Sequence, residues 1–95
     1  MLVHVVSFKY KAGTDEATRA QHRERLAALT LIDGILDLKV GADIVRSPRS
    51  YDTGLVILFA NRAALDAYQK DPRHVPVSQS GAAICDSIVA VDFGV

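Results

Sequence analysis

The chain has 95 residues, 49% of them apolar and 23% charged, the composition of a folded globular protein. At this length a single domain is expected, and it buries only about 60–65% of its extended-chain surface, so its core is thin and a partner is expected to complete it. Lys plus Arg and Asp plus Glu both total 11, a formal charge of zero, which argues against nucleic acid or an anionic membrane as a partner.

Cys85 is the only cysteine, so no disulfide can form within the chain. Apolar LVHVVSF precedes Lys9 and Lys11, the reverse of a signal peptide. The longest apolar run, LVILFA at 55–60, is too short to cross a bilayer. These features predict a cytoplasmic protein.

Residues 2–8, LVHVVSF, are rich in β-branched side chains and end at a Lys-Ala-Gly turn, the pattern of a strand. Thr14 is the expected N-cap of a first helix, with Asp15 and Glu16 in the first turn where the helix dipole favours acids. The helix is expected to run over 17–32 without Gly or Pro until Asp33-Gly34 stops it. His22, Leu26 and Leu29 fall at i, i+4 and i+7, placing His22 on the apolar stripe.

Residues 35–45, ILDLKVGADIV, alternate in part and predict a second strand with a bulge at Gly41. SPRSYDTG reads as a hairpin loop and LVILF, 55–59, as a third strand. Asn61 is the expected cap of a second helix over 62–71, with Ala64, Leu65 and Tyr68 on one face and Pro72 as its end. A polar run containing Gly81 leads to a last strand over 83–93. The order β-α-β-β-α-β, in two similar halves, predicts an α+β ferredoxin-like fold with a four-stranded antiparallel sheet.

Leu55–Phe59, Ile88–Val91 and most of Leu2–Val6 are apolar at both parities. A sheet with one wet face alternates apolar and polar residues, so here both faces are expected to be covered. Two helices cover one face; a second copy of the chain is the simplest cover for the other, predicting a homodimer packed sheet to sheet.

With these elements placed, the chain resembles the stress-responsive dimeric α/β-barrel (Dabb) domain family. The matching pieces are His4-Val5-Val6-Ser7-Phe8-Lys9, Leu38-Lys39-Val40-Gly41, Ala64-Leu65-Asp66-Ala67-Tyr68, Asp71-Pro72-Arg73-His74 and Val91-Asp92-Phe93. Together they span nearly the whole chain. The family holds plant stress proteins, a polyketide cyclase and a plant hydroxynitrile lyase, so the resemblance implies a dimeric α/β barrel more sharply than one activity.

In the cyclase a tyrosine and a histidine six residues apart act together, and a first-strand histidine lines the same pocket. The resemblance carries these roles to Tyr68, His74 and His4 as expected catalytic residues. Where the cyclase has aromatic residues along its acyl pocket, the first helix here offers His22 and Arg25, with Leu26 on the same side. These three are the expected substrate-binding residues, and they suit a polar or anionic ligand better than a long alkyl chain.

Each candidate also has a plainer reading: His74 as a helix-end histidine bonded to backbone, Tyr68 as a core tyrosine, His4 as a buried ring bonded to the first helix. Three imidazoles could hold zinc, but no close His pair or HExxH motif is present, and no metal site is expected. The glycines form no phosphate-binding pattern, and Cys85 reads as a small core residue. The expectation is a cofactor-free acid–base enzyme, of cyclase or lyase type, acting on a carbonyl or aromatic compound. The alternative is a non-catalytic stress-response dimer that binds a small ligand.

Overall fold

The computed structural model describes residues 1–95. The strands are β1 (Leu2–Tyr10), β2 (Ile35–Ala42), β3 (Thr53–Phe59) and β4 (Cys85–Gly94). The helices are α1 (Glu16–Ala28), α2 (Arg62–Lys70) and α3 (Val75–Ile84), with a short 3-10 turn at Leu29–Leu31 after α1. One antiparallel sheet has the order β2-β3-β1-β4, the ferredoxin-like arrangement.

Several expected boundaries move. The N-cap of α1 is Asp15, whose carboxylate accepts from Thr18 N–H at 2.8 Å, while the Thr14 hydroxyl turns back to donate to the Lys11 carbonyl. A carboxylate at this position satisfies a free amide and meets the helix dipole with a full charge. Asn61 does cap α2, accepting from Ala64 N–H at 2.9 Å. Gly41 sits in regular register opposite Gly54; the irregularities fall at Ile35/Asp37 and Lys9/Tyr10.

The largest difference is α3, where the sequence reads as a polar connection. Its segment, VPVSQSGAAI, lacks a clear apolar stripe, and its stability comes from seating Val77, Gly81 and Ile84 against the rest of the core. His74 is therefore the N-cap residue of a helix, although its side chain makes no capping bond.

Alternate positions of the central strands build one core. Val6 and Phe8 on β1 and Leu55, Ile57 and Phe59 on β3 are buried with Leu26, Leu29, Leu65 and Tyr68 from the helices. The opposite parity forms a second, uncovered face. There Val56 is 42% exposed, Val89 48%, Val91 63% and Phe93 46%. Its rows follow from register: Val5 lies between Val56 and Val91, and Val3 between Leu58 and Phe93. Both faces are apolar, as the unbroken runs in β1, β3 and β4 require. No helix is long and apolar enough to cross a membrane.

Candidate functional site

Strand parity turns His4 inward onto the helix-covered face, in line with Val6 and Phe8. Its register partners are Ile57 on β3 and Asp92 on β4. The ring is 6% exposed, and its Nδ1 makes a short hydrogen bond to the Asp92 carboxylate. That bond fixes the ring's rotation and places a negative charge beside it.

Tyr68 comes from the buried face of α2 and is 1% exposed. Its ring meets His4 edge-on at 6.1 Å, Phe59 at 5.2 Å and His74 at 4.2 Å between centroids. Pro72 and the turn after α2 make this last contact: His74 N–H donates to the Asp71 carbonyl at 2.9 Å, folding the chain back over the helix end. Asp71 is itself held by Arg73, whose hydrogen bonds draw its carboxyl down to a pKa of about 2.

The three side chains line one cavity of about 180 Å³, together with His22 and Leu26. A cavity of about 150 Å³ in a protein core admits benzene, so this one suits a single-ring compound. Four of its wall positions, Val6, Phe8, Leu55 and Leu26, are buried hydrocarbon or aromatic surface. β4 contributes Ile88 and Ala90 at the sheet edge.

Burial in this mostly apolar environment sets the protonation states. Burial pushes the Tyr68 phenol well up, so at neutral pH it stays protonated and able to donate. Burial likewise holds His74 below the ordinary histidine value; a backbone hydrogen bond with Gln69 acts the other way, and a charge on His4 would lower it further. His74 is thus a neutral imidazole at pH 7, and its Nδ1 is buried without a hydrogen-bond partner. A neutral imidazole and an un-ionised phenol, packed ring against tilted ring in a mostly apolar hollow, form an acid–base pair with unused bonding capacity.

Of the expected substrate-binding residues, His22 and Leu26 line this cavity and Arg25 does not. Arg25 is exposed and lies at the seam between α1 and α3, outside this cavity. The cavity therefore contains no permanent cation, and its polar lining is the imidazoles and the phenol with Gln69 and Ser78. His22 is 3% exposed, with Nδ1 2.8 Å from the Tyr10 hydroxyl. Burial, then the nearby Arg23 and Arg25, hold it neutral. No three His, Cys, Asp or Glu side chains come together closely enough to hold one metal ion.

Asp92 is the site residue that inspection of the sequence did not single out. It stands in an otherwise apolar strand, Ile88 to Phe93, and that anomaly was its one visible signal. Only the β1–β4 register shows that it faces His4.

These features define a ferredoxin-like protein with a small pocket between helices and sheet. The chain belongs to the stress-responsive A/B barrel domain (Dabb) family, whose model matches residues 2–95. No curated protein matches it. Solved structures do. A dimeric ferredoxin-like protein of unknown function from Thermobifida fusca YX is 23% identical, with a TM-score of 0.90 over 99% of this chain and 90% of that one. Another from Jannaschia sp. CCS1 is 26% identical, with a TM-score of 0.82 over 99% and 98%. A hydroxynitrile lyase from Passiflora edulis is 15% identical, with a TM-score of 0.86 over 97% and 90%.

Proposed function

We propose that this protein is a homodimeric, cofactor-free acid–base enzyme that acts on a small carbonyl compound, by an aldol cyclisation or a related lyase step. The observation that carries the reading is the contact between Tyr68 and His74, 4.2 Å between ring centroids, inside a cavity where the phenol stays protonated and the imidazole stays neutral.

His74 Nδ1 takes a proton from the carbon next to the carbonyl, and the C–H electron pair becomes an enolate. The Tyr68 hydroxyl donates to the enolate oxygen as it gains charge. The enolate carbon then attacks a second carbonyl of the same molecule, and the new alkoxide recovers the proton from His74. In the lyase direction His74 removes a hydroxyl proton, the oxygen becomes a carbonyl, the pair of the adjacent carbon–carbon bond leaves on the departing carbanion, and that carbanion recovers the proton from His74. Positioned acid–base groups contribute about 10²–10⁴-fold, and one oxyanion donor about 10²–10³-fold. Asp92 acts through His4, whose ring it orients toward the pair. The hydroxynitrile lyase among the similar folds supports chemistry of this class without fixing the substrate.

The uncovered sheet face supports the dimer, as do the dimeric proteins that share this fold. Burying one Val or Ile is worth about 1.5–3 kcal/mol, so the valines of this face favour a second sheet against it over water. A hollow of about 410 Å³ beside Gly41 and Gly54 lies on the same face and becomes part of the space between the two sheets.

The reaction is tested by α-proton exchange of small β-keto acids in deuterium oxide, followed by NMR. The wild type is expected to accelerate exchange, and His74→Ala to abolish the acceleration with little change in melting temperature, because the side chain makes no capping bond. Exchange that survives His74→Ala removes the proposed base.

A further inference from the structure

Beside the cavity of Tyr68 and His74, on the far side of His22, the seam between α1 and α3 opens into a cleft of about 200 Å³. Its lining is Thr18, Gln21, His22 and Arg25 from α1 with Ser80 and Ile84 from α3. No acidic side chain is among them.

Arg25 shares with Arg49 alone among the seven arginines the lack of a carboxylate partner, and of the two only Arg25 lines this cleft. Arg19, Arg23, Arg46, Arg62 and Arg73 each pair with a carboxylate. Arg25 pairs with none, and it lies where hydroxyl and amide groups of neighbouring turns can share an acceptor with it.

His22 supplies the second unused donor. The Tyr10 hydroxyl has one proton and sits 2.8 Å from His22 Nδ1 and 2.9 Å from Thr53 Oγ1. On its other side Thr53 Oγ1 is 3.5 Å from the Arg23 guanidinium, which can only donate. Arg23 takes up one lone pair of Thr53 Oγ1 and so favours the order in which Thr53 donates to Tyr10 and Tyr10 donates to His22 Nδ1. In that order the ring proton is on Nε2, which is buried and has no partner. This nitrogen faces α3 at Gly81, where a Cβ would come within 2.9 Å of it. The glycine keeps the seam open beside an N–H that nothing in the protein satisfies.

Unpaired guanidinium, unpaired N–H and the absence of acids all call for an acceptor with one negative charge. We propose that the α1–α3 cleft is a binding site for a small monocarboxylate, held by Arg25 and by His22 Nε2–H, and adjoining the cavity of Tyr68 and His74, with which it shares His22. The site has one formal positive charge, which a single carboxylate balances and a phosphate dianion would overshoot. Its planar, two-oxygen geometry also matches the guanidinium fork.

The test uses the whole protein with benzoate as the probe, followed by calorimetry and by the NMR signal of His22. Saturable binding is expected, with a shift of the His22 ring resonances. Arg25→Ala, on an exposed helix position, is expected to weaken it about 10- to 100-fold, the loss of a hydrogen bond to a charged group. His74→Ala is expected to bind as the wild type does, so the outcome is separate from that of the proposed reaction. Absence of saturable binding, full affinity in Arg25→Ala, loss in His74→Ala, or equal affinity for inorganic phosphate would each overturn the assignment.

Discussion

Replacing Tyr68 by phenylalanine separates the two tasks a buried tyrosine can have. The ring packs on Phe59 at 5.2 Å and on His74 at 4.2 Å, and phenylalanine keeps both contacts. The hydroxyl faces the cavity, and burial alone accounts for its raised pKa, with no hydrogen bond contributing. A desolvated polar group left unpaired costs about 1–3 kcal/mol, and access to the cavity puts this one at the low end. Tyr68→Phe should therefore leave stability unchanged or raise it by up to about 1 kcal/mol, which for a domain of this size moves Tm upward by about 4–8 °C at most. Over the same change the rate of α-proton exchange should fall about 10²–10³-fold, the effect of removing one oxyanion donor. Calorimetry and proton NMR on one preparation read both quantities. A Tm lowered by more than about 4 °C would show that the hydroxyl holds the fold together, and the catalytic argument would lose its premise.

Three further outcomes follow from the same structure. His22 and His74 are held neutral by burial, with folded-state pKa values below the unfolded value of about 6.5. The unfolded chain then binds more protons below that pH, so stability should be constant above about pH 7 and decline as pH falls from about 6.5 toward the folded values, by at most about 1.4 kcal/mol per pH unit per histidine. Thermal melts of the wild type and His22→Gln, compared between pH 7.5 and 5.5 (about the window set by the unfolded histidine value), should show a smaller decline in the variant. Gly81→Ala adds a Cβ 2.9 Å from His22 Nε2; overpacking of about 1–3 kcal/mol outweighs the helix-propensity gain of about 1 kcal/mol, so chemical denaturation should show a net loss of stability. Val91→Lys places a charge on the uncovered sheet face beside Val5 and should shift sedimentation at micromolar concentration from dimer toward monomer; an unchanged dimer would locate the interface elsewhere.

The amino-acid order determined most of the scaffold by itself, because its signals are local. The β-branched runs of β1 and β3, the Asn61 cap and the stop at Pro72 act over a few residues, and apolar residues at both parities announced a sheet that is apolar on both faces. The same locality explains why α3 was not visible: Pro76 near its start is a genuine helix-entry signal, but Ser78, Ser80 and Gly81 dilute the periodicity that would have confirmed it.

The meeting of His4, Tyr68 and His74 was expected from family resemblance, and the fold brings them to one cavity. The Asp92 bond to His4, the exclusion of Arg25 from that cavity and the unpaired Nε2 of His22 were decided only by tertiary structure. Each depends on which strand lies beside which, or on the rotation of a helix about its own axis. A rotation of a few tens of degrees separates buried His22 from exposed Arg25, and packing between elements distant in sequence sets that angle.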